Sequence, residues 1–217
     1  MSLTTYIHKM KDEKGISFRQ LAIESKISYG NIMDIKNDRI AFPTDTILSK
    51  LSKYLGKKRE DVLFEILEDD VDQDFSKASL RYIAYLGANN YTITINPCSP
   101  NPFGTGYMYF DGCAYKKRSG NTFTVIDSWS HIKKEHWEMF KLKNNLELDR
   151  DSWSNLFFNE NMYVSNILYF ALCRLQQSDF HNIKEFVIIF DGNDHDMELV
   201  EEFVPDKLGF KIELMKY

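Results

Sequence analysis

Three aspartates, Asp111, Asp127 and Asp191, each follow a short apolar run that has the composition of a β-strand. Carboxylates that converge at strand ends are ligands that Mg²⁺ accepts, and phosphodiester-cleaving enzymes use such sites. No lysine follows these aspartates at the Glu-x-Lys spacing that restriction-type nucleases use. We therefore interpret the three carboxylates as caps of turns, and we predict no metal site and no catalytic residue.

Two other patterns also fall short of a metal site. The segment 191–196 alternates oxygen-bearing side chains as a calcium loop does, but it lacks the glycine that such a loop needs at position six. A cap for the following helix explains this segment more simply. His131 and His136 are five residues apart and do not share a helical face, so they are not spaced as paired ligands. The five histidines are His8, His131, His136, His181 and His195.

The aromatic and sulfur-containing residues are interpreted as structural. Trp129, Trp137 and Trp153 could line an aromatic ligand cage, but packing in a core is the favoured interpretation. The three cysteines are scattered and form no C-x-x-C pair, which argues against a disulfide framework and against a cysteine zinc site. We predict ordinary thiols in a reducing cytoplasm and no cofactor. The cysteines are Cys98, Cys113 and Cys173.

The N-terminal third contains the clearest elements, because its apolar residues recur at helical spacing. Gly15 and Gly56 stand where helices should end, since glycine readily takes the left-handed conformation of a helix stop. Longer helices are predicted at about residues 3–13, 45–55 and 59–67, and two short ones after Ser17 and Ser28.

Three side chains have the type and the place of helix N-caps. Ser17 and Ser28 each precede one of the two short helices, and Thr44 precedes the fourth helix. Gln20, three residues after Ser17, would complete a capping box. The two short helices, joined by a tight turn at residues 25–27, therefore form a helical hairpin.

Residues 3–67 resemble the Cro/cI-type helix-turn-helix domain of the xenobiotic-response-element family of repressors, which implies a five-helix, lambda-repressor-like bundle. Lys36 and Asp38 depart from the family, which usually has glutamate and glycine there. The missing glycine predicts that Asn37 or Asp38 takes the left-handed conformation, which both tolerate. The resemblance is carried by Ile7, Met10, Ile16, Ser17, Leu21, Ala22, Ile27, Ser28, Ile32, Ile35, Pro43, Thr44, Leu48, Leu51 and Leu55.

The resemblance implies that a DNA recognition helix opens at Ser28. Asn31 would pair with adenine, and Asp34 would accept a hydrogen bond from cytosine N4. The alternative is that these residues are solvated, or that the hairpin contacts a protein. The residues expected to face base edges are Tyr29, Gly30, Asn31 and Asp34. The residues expected to contact phosphates and set the register are Ser17, Arg19, Asn37 and Arg39.

Composition limits the class of protein. The chain has 217 residues, of which 43% are hydrophobic, which suits one large or two modest domains. Residues 1–68 carry a net charge of +2 and the remainder −7, so only the first segment suits a phosphate backbone. No apolar run approaches the ~20 residues of a membrane span, and no signal-peptide pattern is visible. We expect a cytoplasmic protein without a membrane partner.

The predicted organisation is α+β overall. A helix-turn-helix domain at 1–68 is followed by an acidic linker at 69–75 and by an α/β or α+β domain with a mixed sheet at 76–217. The run 185–190 is continuously apolar and is predicted to be a central, buried strand. Residues 78–86 could be helix or strand. Other strands are predicted at about 91–95, 107–110, 123–126 and 210–214, and helices at about 131–140, 162–177 and 197–203.

Two classes of function follow. The first is a transcriptional repressor from a bacterium, a phage or a mobile element, which binds double-stranded operator DNA as a homodimer while its C-terminal domain dimerises, senses a ligand or contacts a partner. The second is an inhibitor or adaptor, because some anti-CRISPR proteins join a similar autoregulatory head to a domain that binds a protein target. A net charge of −7 could mimic nucleic acid, although it also serves solubility. An enzyme is not expected, because no complete catalytic set is visible.

Overall fold

The computed structural model describes residues 3–101, 107–116, 122–144, 160–192 and 194–217. Contacts divide the chain into two compact units, Met1–Tyr91 and Thr92–Tyr217. The first unit is helical and the second contains a mixed five-stranded sheet, so the predicted α+β class is confirmed. Among the described helices, none is both long enough and apolar enough to cross a membrane.

The first unit consists of six helices. Their apolar faces meet in one core that includes Ile7, Leu21, Ile32, Leu51 and Leu63, all of them fully buried. The helices are α1 (Leu3–Lys14), α2 (Phe18–Ser25), α3 (Tyr29–Lys36), α4 (Asp45–Leu55), α5 (Arg59–Glu68) and α6 (Lys77–Ala88).

Local hydrogen bonds begin and end these helices largely as the sequence predicts. The side chains of Ser17, Ser28 and Thr44 accept the backbone N–H three residues on, so all three N-caps are confirmed. The capping box is not completed among the described residues: the side chain of Gln20 donates its N–H to Glu24, and its oxygen does not accept the backbone N–H of Ser17. Asp38 takes the left-handed conformation with φ of 55°, as the missing glycine predicted.

Residues 78–86, which the sequence left open between helix and strand, belong to helix α6. Ser76 caps this helix. The helix belongs to the first compact unit, which extends to Tyr91. The acidic segment 69–75, predicted as a linker, therefore lies within this unit as the connection between α5 and α6.

The second unit is built on a sheet with the strand order β1-β4-β5-β6-β7. The first three strands of this order pair antiparallel, and the last three pair parallel. A separate antiparallel ribbon joins β2 and β3, so the predicted strand at 107–110 lies outside the main sheet. The strands are β1 (Thr92–Ile95), β2 (Cys98–Pro100), β3 (Tyr107–Tyr109), β4 (Gly112–Tyr115), β5 (Phe123–Ser128), β6 (Ile183–Phe190) and β7 (Lys211–Lys216).

Helices connect the parallel strands of this sheet. Of the described residues between β5 and β6, two stretches form the helices α7 (Trp129–Asn144) and α8 (Glu160–Gln176), and α9 (Asp194–Phe203) lies between β6 and β7. The predicted central strand β6 is confirmed, since both Ile188 and Val187 are fully buried although they point to opposite faces. Trp153, named above as an aromatic candidate, lies outside the described residues.

Both tryptophans that the structure describes lie in the core of the second unit. Trp129 and Trp137 are buried, and the Trp129 ring stacks on Phe190. His136 is also buried and lies edge-on to Phe170, with ring centroids 5.2 Å apart. Burial disfavours the imidazolium and lowers the pKa of His136 to about 4.

His136 should make stability fall on mild acidification. Its pKa is lower in the folded chain than in the unfolded one, so the unfolded state binds the extra proton as the pH falls from about 6.5 towards 4. Between pH 7 and pH 5 this costs about 2 kcal/mol of unfolding free energy. Urea denaturation at both pH values should therefore show a smaller acid loss for His136→Gln than for the wild type.

The exposed His181 provides the matched control for this experiment. The variant His181→Gln should lose as much stability between pH 7 and pH 5 as the wild type does. If His136→Gln loses as much unfolding free energy between pH 7 and pH 5 as the wild type does, His136 is not the source of the acid sensitivity.

Candidate functional site

The α2–α3 hairpin holds one face of α3 against the core. Ile32 and Ile35 are fully buried beneath it. Thr4 on α1 donates its hydroxyl to the carbonyl of Ile35 and also contacts the carboxylate of Asp38, each at 2.5 Å. Lys26 takes the left-handed conformation and ends α2, which lets the chain turn into α3. Helix α3 is therefore fixed at its start by a cap and at its end by α1.

The opposite side of α3 is open. Tyr29 is 52% exposed, and a Cβ added to Gly30 would meet no atom within 4 Å. Since successive residues of a helix are turned by about 100°, Gly30 and Asp34 lie opposite the buried isoleucines, whereas Asn31 lies nearer to the buried edge. The four residues predicted to face base edges thus share an accessible surface, with Asn31 at its margin.

Two of the predicted DNA contacts are paired with each other in the free protein. Arg39, predicted to bind phosphate, approaches the carboxylate of Asp34 at 3.4 Å between Nη1 and Oδ1. The backbone N–H of Arg39 also donates to the carbonyl of Asp34 at 2.9 Å. Both side chains are exposed to solvent, so the ion pair contributes little stability and can be exchanged for other partners.

The remaining predicted phosphate contacts lie on the surface of the same unit. Ser17, Arg19 and Asn37 are exposed. Arg19 has no ion-pair partner among the described residues, so its charge is available. Together with Tyr29 it borders a concave surface whose other lining residues are Ala22, Ile23 and Ile27.

Sequence reasoning missed one residue of this concave surface. Ile23 on α2 is 65% exposed, which is unusual for a large aliphatic side chain in a small helical unit. An exposed aliphatic residue beside a polar recognition surface can contact thymine methyl groups. The sequence contains a signal of this exposure, because Ile23 directly follows the buried pair Leu21–Ala22, where helical spacing turns a side chain outwards.

The second unit contains a buried charge cluster, which consists of Asp111, Asp127, His131, Glu135 and Arg174. Asp111 and Asp127 are neighbours because β4 pairs with β5 and places Gly112 opposite Ile126. His131 is four residues after Asp127, which lies near the end of β5, and belongs to the first turn of α7. Ser128 caps this helix by accepting the backbone N–H of His131 at 3.4 Å.

The imidazole of His131 bridges the two aspartates. Its Nδ1 lies 2.7 Å from Oδ1 of Asp127 and 3.3 Å from Oδ1 of Asp111. Burial opposes a charge on this ring, but attraction to Asp127 and hydrogen bonds to Asp127 and Glu135 outweigh the burial and raise the pKa of His131 to about 10. In the absence of a bound ion, the imidazolium is the favoured form at neutral pH.

Arg174 supplies the second cation of the buried charge cluster. Its guanidinium is 1% exposed and donates from Nη1 to Oδ2 of Asp127 at 3.0 Å. The Nη2 group approaches Glu135 at 2.8 Å and also donates to the carbonyl of Tyr109. The side chain therefore links α8 to β5, α7 and β3. Three carboxylates face two cations, which leaves a net charge of −1 when His131 is charged.

The structure brings together only two of the three aspartates that the sequence singled out. Asp111 and Asp127 converge, whereas Asp191 is exposed after β6 and is not one of the three groups whose ligand atoms lie within 4.8 Å of one another. The interpretation as turn caps fits Asp111 in part, because its Oδ2 accepts the backbone N–H of Ser128 at 2.9 Å. His131 was overlooked because only spacings between histidines were considered, and its separation from Asp127 by four residues spans the end of a strand and the start of a helix, which is no recognised ligand pattern.

Comparison of the chain with protein-family models, with curated proteins and with solved structures gave no match. Evidence on function therefore comes from the geometry of the open side of α3 and of the buried charge cluster.

The ion pair between Arg174 and Asp127 should be a major determinant of stability. Removing one partner of a buried pair leaves the other charge without compensation, which costs about 3–5 kcal/mol. We expect Arg174→Met to lower the unfolding free energy by this amount in urea titrations. The exposed ion pair between Arg39 and Asp34 supplies the control, since Arg39→Met should change the unfolding free energy by less than about 1 kcal/mol. Equal effects of the two variants would contradict this account.

Proposed function

We propose that the chain is a transcription regulator of the repressor type and that its first unit binds double-stranded DNA sequence-specifically through α3. The observation that carries the proposal is the asymmetry of this helix. Its Ile32–Ile35 side is fully buried and is anchored by Thr4, while its Tyr29–Asp34 side is open. A short capped helix held in this way can enter the major groove and present side chains to base edges.

The proposed contacts divide into two kinds. At base edges, Asn31 would pair with adenine and Asp34 would accept from cytosine N4, while Gly30 lets the backbone come close. Tyr29 would contact the neighbouring base. The phosphate contacts are assigned to exposed groups around the helix, namely Ser17, Arg19, Asn37 and Arg39.

Charge supports a division of labour along the chain. Residues 1–68, which contain α1 to α5, carry a net charge of +2, whereas residues 69–91 of the same unit carry −2 and the second unit carries −5, so α1 to α5 are the part suited to phosphates. A single small reading head makes few contacts, which favours a homodimer on a palindrome with half-sites about 34 Å apart. The second unit would supply dimerisation or respond to a ligand in a cytoplasmic protein.

Arg19→Ala should weaken binding to every DNA sequence. Loss of one phosphate contact should reduce the slope of log affinity against log salt by about one unit. We would first select a binding site from randomised duplexes with the full chain, then measure affinity for that site and for random DNA at several salt concentrations. Lys184→Ala, which removes an exposed lysine from the second unit, should leave both affinities unchanged.

Asn31→Ala should instead weaken binding selectively. Loss of a paired base contact costs about 1–3 kcal/mol at the selected site and relaxes preference at one base pair. Affinity for random DNA should stay unchanged. The matched control is Asn37→Ala, which removes the same kind of side chain from a predicted phosphate contact. It should weaken binding to the selected site and to random DNA equally. If no sequence is enriched by selection, or if the two asparagine variants behave alike, the proposal is wrong.

A further inference from the structure

Three ligand atoms converge inside the buried charge cluster, independently of the proposed DNA surface. They are Nδ1 of His131 and the Oδ1 atoms of Asp111 and Asp127. Two ligands at right angles on a metal ion, each about 2.1 Å from it, lie about 3.0 Å apart. The observed separations from Nδ1 are 2.7 and 3.3 Å, on either side of that value. The three atoms could therefore occupy neighbouring corners of one coordination sphere.

The outer oxygens of both aspartates are already held. Oδ2 of Asp111 accepts from the backbone N–H of Ser128, and Oδ2 of Asp127 accepts from Arg174. Each carboxylate thus has one oxygen fixed by a donor and turns the other towards His131. Metal ligands are commonly oriented by such outer hydrogen bonds, which fix the carboxylate before an ion arrives.

The buried charge cluster also has a path to solvent and an incomplete hydrogen-bond network. The side chain of His131 is 24% exposed, whereas those of the two aspartates are almost fully buried, so the imidazole side is the open one. Nε of Arg174 is buried and has no acceptor among the described residues. A buried donor of this kind calls for a further acceptor beside Arg174, such as a water oxygen.

We propose that Asp111, Asp127 and His131 bind one divalent cation, of the class that accepts both carboxylate and imidazole ligands, with Mn²⁺ as the probe. The proton on Nδ1 of His131 leaves to solvent when the ion takes its place. The sequence predicted no metal site, because no lysine follows the aspartates at the Glu-x-Lys spacing of restriction-type nucleases and turn capping explained them more simply.

The test is binding of Mn²⁺ to the full chain after treatment with EDTA, measured by calorimetry and by electron paramagnetic resonance. We expect one ion per chain, with a nitrogen coupling from the imidazole in pulsed spectra. His131→Gln should remove that coupling and weaken binding at least tenfold, and Asp111→Asn should weaken it similarly. Asp191→Asn, a change to the exposed carboxylate outside the cluster, should bind as the wild type does.

Asp127→Asn is the least informative variant, because it leaves Arg174 without its full partner and can unfold the chain. His131→Gln leaves that ion pair in place, so it decides the question when circular dichroism shows a folded protein. The absence of saturable Mn²⁺ binding to the wild type at millimolar concentration would overturn the proposal. Binding without a nitrogen coupling, or binding that His131→Gln leaves intact, would overturn it equally.

Discussion

The second unit depends on one buried ion pair, between Arg174 and Asp127. A charged guanidinium that is 1% exposed is tolerable only where carboxylates and carbonyls surround it. Because its partners lie on β5, α7 and β3, the side chain couples a central strand of the sheet to both neighbouring helices and to the two-stranded ribbon. The rings of Phe110 and Phe170 lie within 6 Å of the guanidinium and exclude water around it. This arrangement holds Asp127 and the start of α7 in one place, so the geometry at His131 depends on it.

The helix boundaries of the first unit are set by short-range interactions instead. The caps at Ser17 and Ser28, the left-handed residues at Lys26 and Asp38, and buried residues at helical spacing all act within a few residues. Such features can be predicted from sequence, since each depends on one residue type in one local conformation. The local prediction at Gln20 failed because its side chain turns towards Glu24, one helical turn further on, and not back to the backbone N–H of Ser17.

The buried charge cluster lay beyond this kind of prediction. Asp111 and Asp127 are neighbours only because of the register between β4 and β5, and Arg174 joins them from 47 residues further along the chain. Strand register depends on how whole strands pack, which a short motif does not encode. The same reason explains why the strand at 107–110 was predicted but its place in a separate ribbon was not.

The mutual pairing of Asp34 and Arg39 has a consequence for discrimination between DNA sequences. In the proposed complex, Arg39 turns to a phosphate and leaves a bare carboxylate close to the polyanion. Cytosine offers an amino group that compensates Asp34, whereas most other base edges do not. If the proposed complex forms, an incorrect site would gain one attraction and suffer one repulsion, while the correct site would gain two attractions. The pair would then act as a filter that lowers residence on random DNA without any further contact.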